Sequence, residues 1–198
     1  MKTMYLVRHA EVENPHHVFY NGEYPLSKEG VRQAHELAVE LAAQGIRPKR
    51  ILTSPYVRAR ETAELLCQEL GCDTVTDDRL IEWQVGDWFG KPLAEFRQAA
   101  GYNDHPPFEL KLEDVESYAS MAQRVSSVLY EELARLPEGG FGMVVGHREP
   151  LVSTILKLRG DTDWRNIPLL KMPRPSVWKL DFDGDRLASC NPVGFSVS

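Results

Sequence analysis

Short apolar runs and longer stretches with helical spacing alternate along most of this chain. The first run, Met4–Val7, has the length of a buried strand and stops at the polar pair Arg8-His9. Further on, apolar positions recur every three or four residues, as one buried face of a helix requires. This helix is expected to begin after the N-cap residue Ser27 and to run to Gln44, before Gly45. The residues expected to face the core are Val31, Ala34, Ala38 and Leu41.

The same alternation predicts the remaining elements. Strands are expected at 50–53, 73–76 and 141–145, and a closing hairpin at 176–182 and 186–189. Helices are expected from the Thr53-Ser54-Pro55 cap to about residue 70, and at 92–100, 117–136 and 149–158. Alternating strands and helices predict an α/β three-layer sandwich, with a mostly parallel sheet, helices on both faces and an antiparallel edge. We expect one domain, 1–198, with a small cap segment at about 91–117.

Three strand ends carry side chains that suit a phosphate group. In parallel sheets ligands bind beyond the carboxyl ends of the strands. The residues expected at these ends are Arg8 and His9, Ser54 with Arg58 one helical turn further, and His147 with Arg148. Arginine presents planar donors that match phosphate oxygens, and a neutral imidazole can attack phosphorus to form phosphohistidine. The sequence therefore predicts an anion-binding rim able to catalyse phosphoryl transfer.

A leaving oxygen needs a proton, and Glu82 is the candidate donor. Its neighbours Ile81, Trp83 and Val85 are apolar, and burial among them would raise its pKa, which suits a general acid. The aromatic residues that could line the mouth of such a pocket, or pack in the core instead, are Tyr20, Trp83, Trp88 and Phe108.

Composition narrows the class of protein. The chain has 198 residues, 42% hydrophobic and 26% charged, with a net charge of -6, which argues against disorder and against nucleic-acid or membrane partners. No stretch is long and apolar enough for a signal peptide or membrane span. Three cysteines, Cys67, Cys72 and Cys190, predict reduced, mostly buried thiols in a cytoplasmic protein.

No metal ion and no cofactor is expected. The adjacent pair His16-His17 does not have the spacing of a metal motif. The expected partner is a small phosphorylated substrate, while a homo-oligomer stays open.

The order of motifs resembles the histidine phosphatase superfamily, in its phosphoglycerate-mutase-like branch. The resemblance covers about residues 3–160 and rests on all motifs occurring in the family's order, since each alone is weakly specific. The matching blocks are Leu6-Val7-Arg8-His9-Ala10-Glu11, Leu26-Ser27-Lys28-Glu29-Gly30 with Gln33-Ala34, Thr53-Ser54-Pro55 with Arg58-Ala59 and Thr62-Ala63, the Leu80, Glu82, Gly86, Gly90 series, and Val144-Val145-Gly146-His147.

By position, the resemblance implies a role for each candidate residue. It implies that His9 is the phosphorylated nucleophile and that Glu82 is the proton donor. The residues implied to bind the transferred phosphoryl group are Arg8, Arg58 and His147. Asn14 corresponds to a phosphate-contacting asparagine, although it lies one residue closer to the histidine than in the mutases.

Departures from the family pattern favour a phosphatase over a mutase. Trp83-Gln84-Val85-Gly86 replaces the usual Arg-His-Tyr-Gly of the mutases, and the segment from Gly90 to Phe141 is short. Ala10 replaces a glycine, and Arg148 replaces another; its guanidinium either extends the basic pocket or forms a salt bridge. The main hypothesis is a metal-independent phosphomonoesterase.

Three alternatives to this phosphomonoesterase are kept. One is a cofactor-dependent phosphoglycerate mutase, one is a phosphohistidine or phosphoprotein phosphatase, and one is a degenerate, non-catalytic binder.

Overall fold

The computed structural model describes residues 1–14, 18–20, 22–101 and 112–194. Six strands form one sheet in the order β3-β2-β4-β1-β5-β6. The strands are β1 (Lys2–Arg8), β2 (Arg50–Thr53), β3 (Asp73–Thr76), β4 (Phe141–Gly146), β5 (Ser176–Asp183) and β6 (Arg186–Val193). Neighbours among the first four in this order pair in parallel, whereas β5 and β6 are antiparallel. The mixed α/β sheet with an antiparallel edge is therefore confirmed.

Helices cover both faces of the sheet. They are α1 (Lys28–Ala43), α2 (Val57–Leu70), α3 (Leu93–Ala99), α4 (Tyr118–Arg135) and α5 (Arg148–Leu158). Side chains alternate along β1: Met4 and Leu6 pack in one buried cluster with residues of α4 and α5. Tyr5 and Val7 pack in a second cluster with residues of α1 and α2. This alternation of a pleated strand gives the sandwich its two cores.

The buried face of α1 differs from the prediction at one position. Val31 is 39% exposed, and the residues that face the core are Gly30, Ala34, Leu37, Ala38 and Leu41. Residue 31 lies about 100° around the helix axis from residue 30, just outside the arc that the five buried residues cover. Gly30 takes the inward place because it lies against the backbone of Glu11, where a Cβ would come within 2.0 Å of the carbonyl oxygen.

Helix α2 begins later than predicted. Thr53-Ser54-Pro55 does not cap it; Tyr56 is its N-cap residue and Val57 its first residue. Ser54 instead continues the line of β2, with its N–H bonded to the Val145 carbonyl at 3.1 Å. The side chain of Ser54 is thereby kept at the rim of the sheet.

The prediction that the cysteines are all reduced thiols is wrong for one pair. Cys67 and Cys72 form a disulfide, with their Cα atoms 4.7 Å apart. Gly71 ends α2 in the left-handed conformation, at φ 71°, and this turn brings Cys72 back over the last turn of the helix. Cys190 is a free, buried cysteine. The cytoplasmic location, which rested partly on the cysteines, stays a prediction.

The predicted cap segment at 91–117 is described only in part. Helix α3 falls in it, but residues 102–111, with Phe108, lie outside the described residues. The division into one domain with a cap therefore stays a prediction. Among the described residues, no helix is both long and apolar enough to cross a membrane.

Candidate active site

The predicted site residues meet at one rim of the sheet. His9 follows β1, Ser54 follows β2, and His147 follows β4. The His9 N–H donates to the Gly146 carbonyl at 3.0 Å, which holds the ends of β1 and β4 in register. The two imidazole centroids lie 5.2 Å apart, and both rings are buried. The carboxyl ends of parallel strands thus bring two histidines together, as the element order predicted.

One ring nitrogen of His9, Nε2, has a lone pair available for nucleophilic attack. Its Nδ1 lies 2.7 Å from the carbonyl oxygen of Ala10. A carbonyl can only accept, so Nδ1 carries the proton and the lone pair stands on Nε2. The Arg58 Nε donates to that Nε2 at 3.3 Å. Burial, followed by the charges of Arg58, Arg174 and Arg8, holds the pKa of His9 well below its usual value. A neutral, nucleophilic imidazole results.

Arg8 and Arg58 surround this nitrogen with positive charge. Arg8 donates through Nη1 to the Met172 carbonyl, and burial lowers its pKa to about 10, so it is still charged at neutral pH. The Arg58 guanidinium is fully buried and lies over the Tyr20 ring, 4.5 Å from its centroid. Aromatic faces favour a cation in this position and leave its N–H edges directed at the pocket.

His147 is oriented by Ser54. Its Nε2 lies 2.8 Å from the Ser54 Oγ, and its buried Nδ1 has no hydrogen-bond partner in the described part of the chain. Burial, followed by the charge of Arg58, lowers the pKa of His147 well below its usual value. If the hydroxyl donates to Nε2, the remaining proton of the neutral ring is on Nδ1, which is then free to donate to a bound anion.

Glu82 lies beside both His147 and Arg58. Its Oε2 is 3.6 Å from the His147 Nδ1 and 4.0 Å from the Arg58 Nη2, while Oε1 accepts from the Trp83 N–H at 2.9 Å. Burial, reinforced by the negative charge of Glu149, raises the pKa of Glu82 to about 7. A carboxyl group with such a pKa still holds its proton near neutral pH, as a general acid must.

Asn14 and Arg148 also line the pocket, each with partners within the protein. The Asn14 amide bonds the backbone of Val18 twice, donating at 2.9 Å and accepting at 3.3 Å. Arg148 donates to Glu149 at 2.9 Å and, through its other nitrogen, to the Ile167 carbonyl at 3.3 Å. Arg148 therefore both lines the pocket and forms a salt bridge. Contact of either residue with substrate stays a prediction.

The site opens into a cavity of about 580 Å³. Of the aromatic residues predicted at its mouth, Tyr20 and Trp83 line it. Trp88 packs against Phe96 instead, with ring centroids 5.5 Å apart. A pocket of this size and aromatic lining has the dimensions of a small-molecule site.

One residue of the pocket, Arg174, was missed by the reasoning from sequence. It lies just before β5 and lines the same cavity as Arg8 and Arg58. Because β5 is antiparallel, its amino end, not its carboxyl end, meets this rim, with Ser176 paired to Arg8. An arginine just ahead of the predicted antiparallel hairpin is the signal that could have found it.

The residues His9, Glu82 and His147 could also hold a metal ion. One ligand atom from each lies within 4.8 Å of the others. The positive charges of the Arg8 and Arg58 guanidinium groups beside them repel a metal cation. The donor set therefore fits an anion better than a metal ion. His16-His17 lie outside the described residues.

Two buried histidines, two arginines and a glutamate with a raised pKa lie around one cavity, a set of groups that suits phosphoryl transfer. The family model of the histidine phosphatase superfamily (branch 1) matches residues 4–190. The chain belongs to this superfamily.

One relative and two solved structures are similar to this chain. A Proteus mirabilis protein named "Probable phosphoglycerate mutase GpmB" is 30% identical over 198 residues, covering 92% of this chain and 86% of its own. Mycobacterial glucosyl-3-phosphoglycerate phosphatase has a similar structure, with a TM-score of 0.82 at 23% identity over 100% of both chains. Entamoeba histolytica phosphoserine phosphatase has a TM-score of 0.77 at 20% identity, covering 96% of this chain and 97% of its own. These two solved structures support the fold.

Proposed function

We propose that this protein is a metal-independent phosphomonoesterase that hydrolyses a small phosphorylated metabolite through a phosphohistidine at His9. The observation that carries the proposal is the state of the His9 ring. Its Nδ1 is bonded to a backbone carbonyl, its Nε2 faces Arg58, and its pKa is lowered by burial and by the surrounding arginines. A neutral nitrogen nucleophile beside fixed positive charges suits attack on a phosphate dianion.

The first step transfers the phosphoryl group to the enzyme. Nε2 of His9 attacks phosphorus, the ester P–O bond breaks, and Glu82 gives its proton to the leaving oxygen. Arg8, Arg58 and the His147 Nδ1 hold the three remaining oxygens, whose charge grows during the transfer. In the second step water attacks the phosphohistidine, Glu82 takes a proton from it, and the P–N bond breaks. Inorganic phosphate leaves, and His9 and Glu82 return to their starting states.

The test is to trap the intermediate and locate it. Wild-type protein mixed briefly with p-nitrophenyl phosphate and quenched in alkali should carry one phosphoryl group on His9, found by mass spectrometry of its peptides. His9→Ala should lose the adduct and at least about 10³-fold of turnover. His35→Ala is the matched control, since His35 is exposed on α1. An adduct on serine or aspartate, or full turnover by His9→Ala, would refute the mechanism.

A phosphoglycerate mutase is the second candidate. The name of the Proteus mirabilis relative favours it. The cavity lining also includes Arg97 and Arg148, which suit a substrate carboxylate. Incubation with 3-phosphoglycerate and its bisphosphate separates the two candidates, because a mutase interconverts isomers faster than it releases phosphate.

A further inference from the structure

Arg174 shares an aromatic partner with Arg58. Its Nη2 donates to the Tyr20 hydroxyl at 2.7 Å, and its Cζ lies 5.9 Å from the centroid of the Tyr20 ring. The Cζ of Arg58 lies 4.5 Å from the same centroid. One tyrosine thus contacts both guanidinium groups, which places Arg174 beside the cation that touches His9.

Arg8 is joined to the same loop. Its Nη1 donates to the carbonyl of Met172, two residues before Arg174. Three arginines therefore reach one corner of the cavity from three segments: the end of β1, the start of α2, and the loop before β5. Like charges so close together repel one another, and an anion among them relieves that repulsion.

Three buried donors of the site have no acceptor among the described residues. The Arg8 Nε, the Arg174 Nε and the His147 Nδ1 are buried nitrogens without a hydrogen-bond partner within the residues that the structure describes. A buried donor without an acceptor is costly, so such groups usually mark the place of a water, an ion or a ligand. A phosphoryl group presents three oxygens that accept hydrogen bonds, and these oxygens would supply the acceptors that the three nitrogens lack.

We propose that Arg174 binds the phosphoryl group transferred at His9, as a third guanidinium beside Arg8 and Arg58. The identity of the transferred group rests on the proposed function. Arg174 then adds positive charge where negative charge grows on the equatorial oxygens, and Tyr20 holds its guanidinium in place. The pKa of His9 agrees with this position, because Arg174 is among the charges that lower it, together with Arg58 and Arg8.

The test is binding of inorganic phosphate, which has no second anionic group and needs no turnover. Calorimetric titration of Arg174→Gln should show affinity about 10- to 100-fold weaker than wild type, the range of one lost charge-assisted contact. Arg174→Lys should recover part of the loss, since lysine restores the charge without the planar fork. Lys171→Gln is the matched control: it removes one charge from an exposed position of the same loop and should bind phosphate like wild type.

Turnover of p-nitrophenyl phosphate gives the second measurement. We expect kcat/KM of Arg174→Gln to fall by a similar 10- to 100-fold, because this substrate too offers Arg174 only its phosphoryl group. Phosphate affinity within twofold of wild type would overturn the proposal. So would normal use of p-nitrophenyl phosphate with selective loss of phosphoserine, since Arg174 would then bind a second anionic group.

The Tyr20→Phe variant distinguishes direct phosphate binding by Arg174 from an indirect role in which Arg174 only supports Tyr20. This variant removes the hydroxyl bonded to Arg174 but keeps the ring and both guanidinium groups. In the Tyr20→Phe background, a further loss of phosphate affinity on Arg174→Gln supports direct binding, whereas no further loss would make Arg174 a support for Tyr20 and overturn the proposal. Failure of the proposed function looks different: wild type would bind phosphate, with Arg174→Gln weaker, yet form no phosphohistidine.

Discussion

Replacing Glu82 by glutamine tests the assignment of the general acid most directly. Glutamine has nearly the same shape, and its carbonyl oxygen can still accept from the Trp83 N–H, now bonded to Oε1 at 2.9 Å. It has no acidic proton to give. The substitution therefore removes the proposed chemistry of residue 82 and leaves its contacts largely in place.

The expected effect depends on the leaving group. An alkyl phosphate leaves as a strongly basic alkoxide, while p-nitrophenolate is a stable anion that needs little help. We expect Glu82→Gln to lower kcat/KM for alkyl phosphates by about 10²- to 10⁴-fold, the usual worth of general acid catalysis, and to affect p-nitrophenyl phosphate far less. Steady-state phosphate release with both substrates measures the two effects on the same preparations.

The raised pKa of Glu82 sets the pH dependence expected for kcat/KM. With a pKa of about 7, roughly nine-tenths of Glu82 is protonated at pH 6, against roughly 3% for an ordinary glutamate of pKa 4.5. Wild-type kcat/KM for alkyl phosphates should therefore fall as pH rises through about 7, and Glu82→Gln should lose this limb. Glu149→Gln should move the limb to lower pH, because the charge of Glu149 helps raise the pKa of Glu82.

The same pKa predicts an opposite effect on stability. The folded pKa of Glu82 lies above its unfolded value, so ionisation opposes folding: stability is greatest below pH 4.5 and is lost as pH rises to about 7. Above that pH the loss is roughly 3 kcal/mol. Chemical denaturation should show that the unfolding free energy of Glu82→Gln, relative to that of wild type, rises by about this much between pH 4.5 and pH 8. Taking the difference between the two proteins removes the contributions of the other titrating groups, which both proteins share.

Equal slowing of alkyl and aryl substrates, with the basic limb unchanged, would refute the role of Glu82 as the acid. Glu82 would then position His147, which lies 3.6 Å away, or Arg58. Asp87, five residues further along, would be the next acid to replace.

Three further predictions test the pocket and the fold. Ser54→Ala should lower kcat/KM for p-nitrophenyl phosphate by about 10-fold, because the hydrogen bond that orients His147 is lost; an unchanged value would contradict this role. Prolonged dialysis against EDTA should leave turnover unchanged, and recovery of lost activity by a divalent ion would contradict a metal-independent mechanism. Gly30→Ala should cost about 2 kcal/mol or more of unfolding free energy, since its Cβ would lie 2.0 Å from the Glu11 carbonyl oxygen. Gly194→Ala, with open space at its Cβ, is the matched control, and equal stability of the two variants would refute the clash.

The sequence alone predicted the elements and the part of the site that lies at strand ends. Apolar periodicity located β1, β2 and β4 to within a residue or two, and His9 and His147 follow two of these strands directly. Parallel strands bring their carboxyl ends to one rim, so chain order was enough to bring these residues together. Helix α2 was less well placed at its start, because the side chain of Ser54 is used by His147 and does not cap the helix.

Only the tertiary structure decided which other groups reach that rim. Arg174 lies more than 160 residues from His9 along the chain, and it enters because β5 runs antiparallel to β1. The pairing of Cys67 with Cys72 depends on the left-handed turn at Gly71, which a count of cysteines does not show. The pKa of Glu82 depends on burial and on the charges of Glu149 and Arg58. Local sequence sets periodicity and strand ends, whereas burial and electrostatics depend on segments that are distant in the chain and meet only in the folded protein.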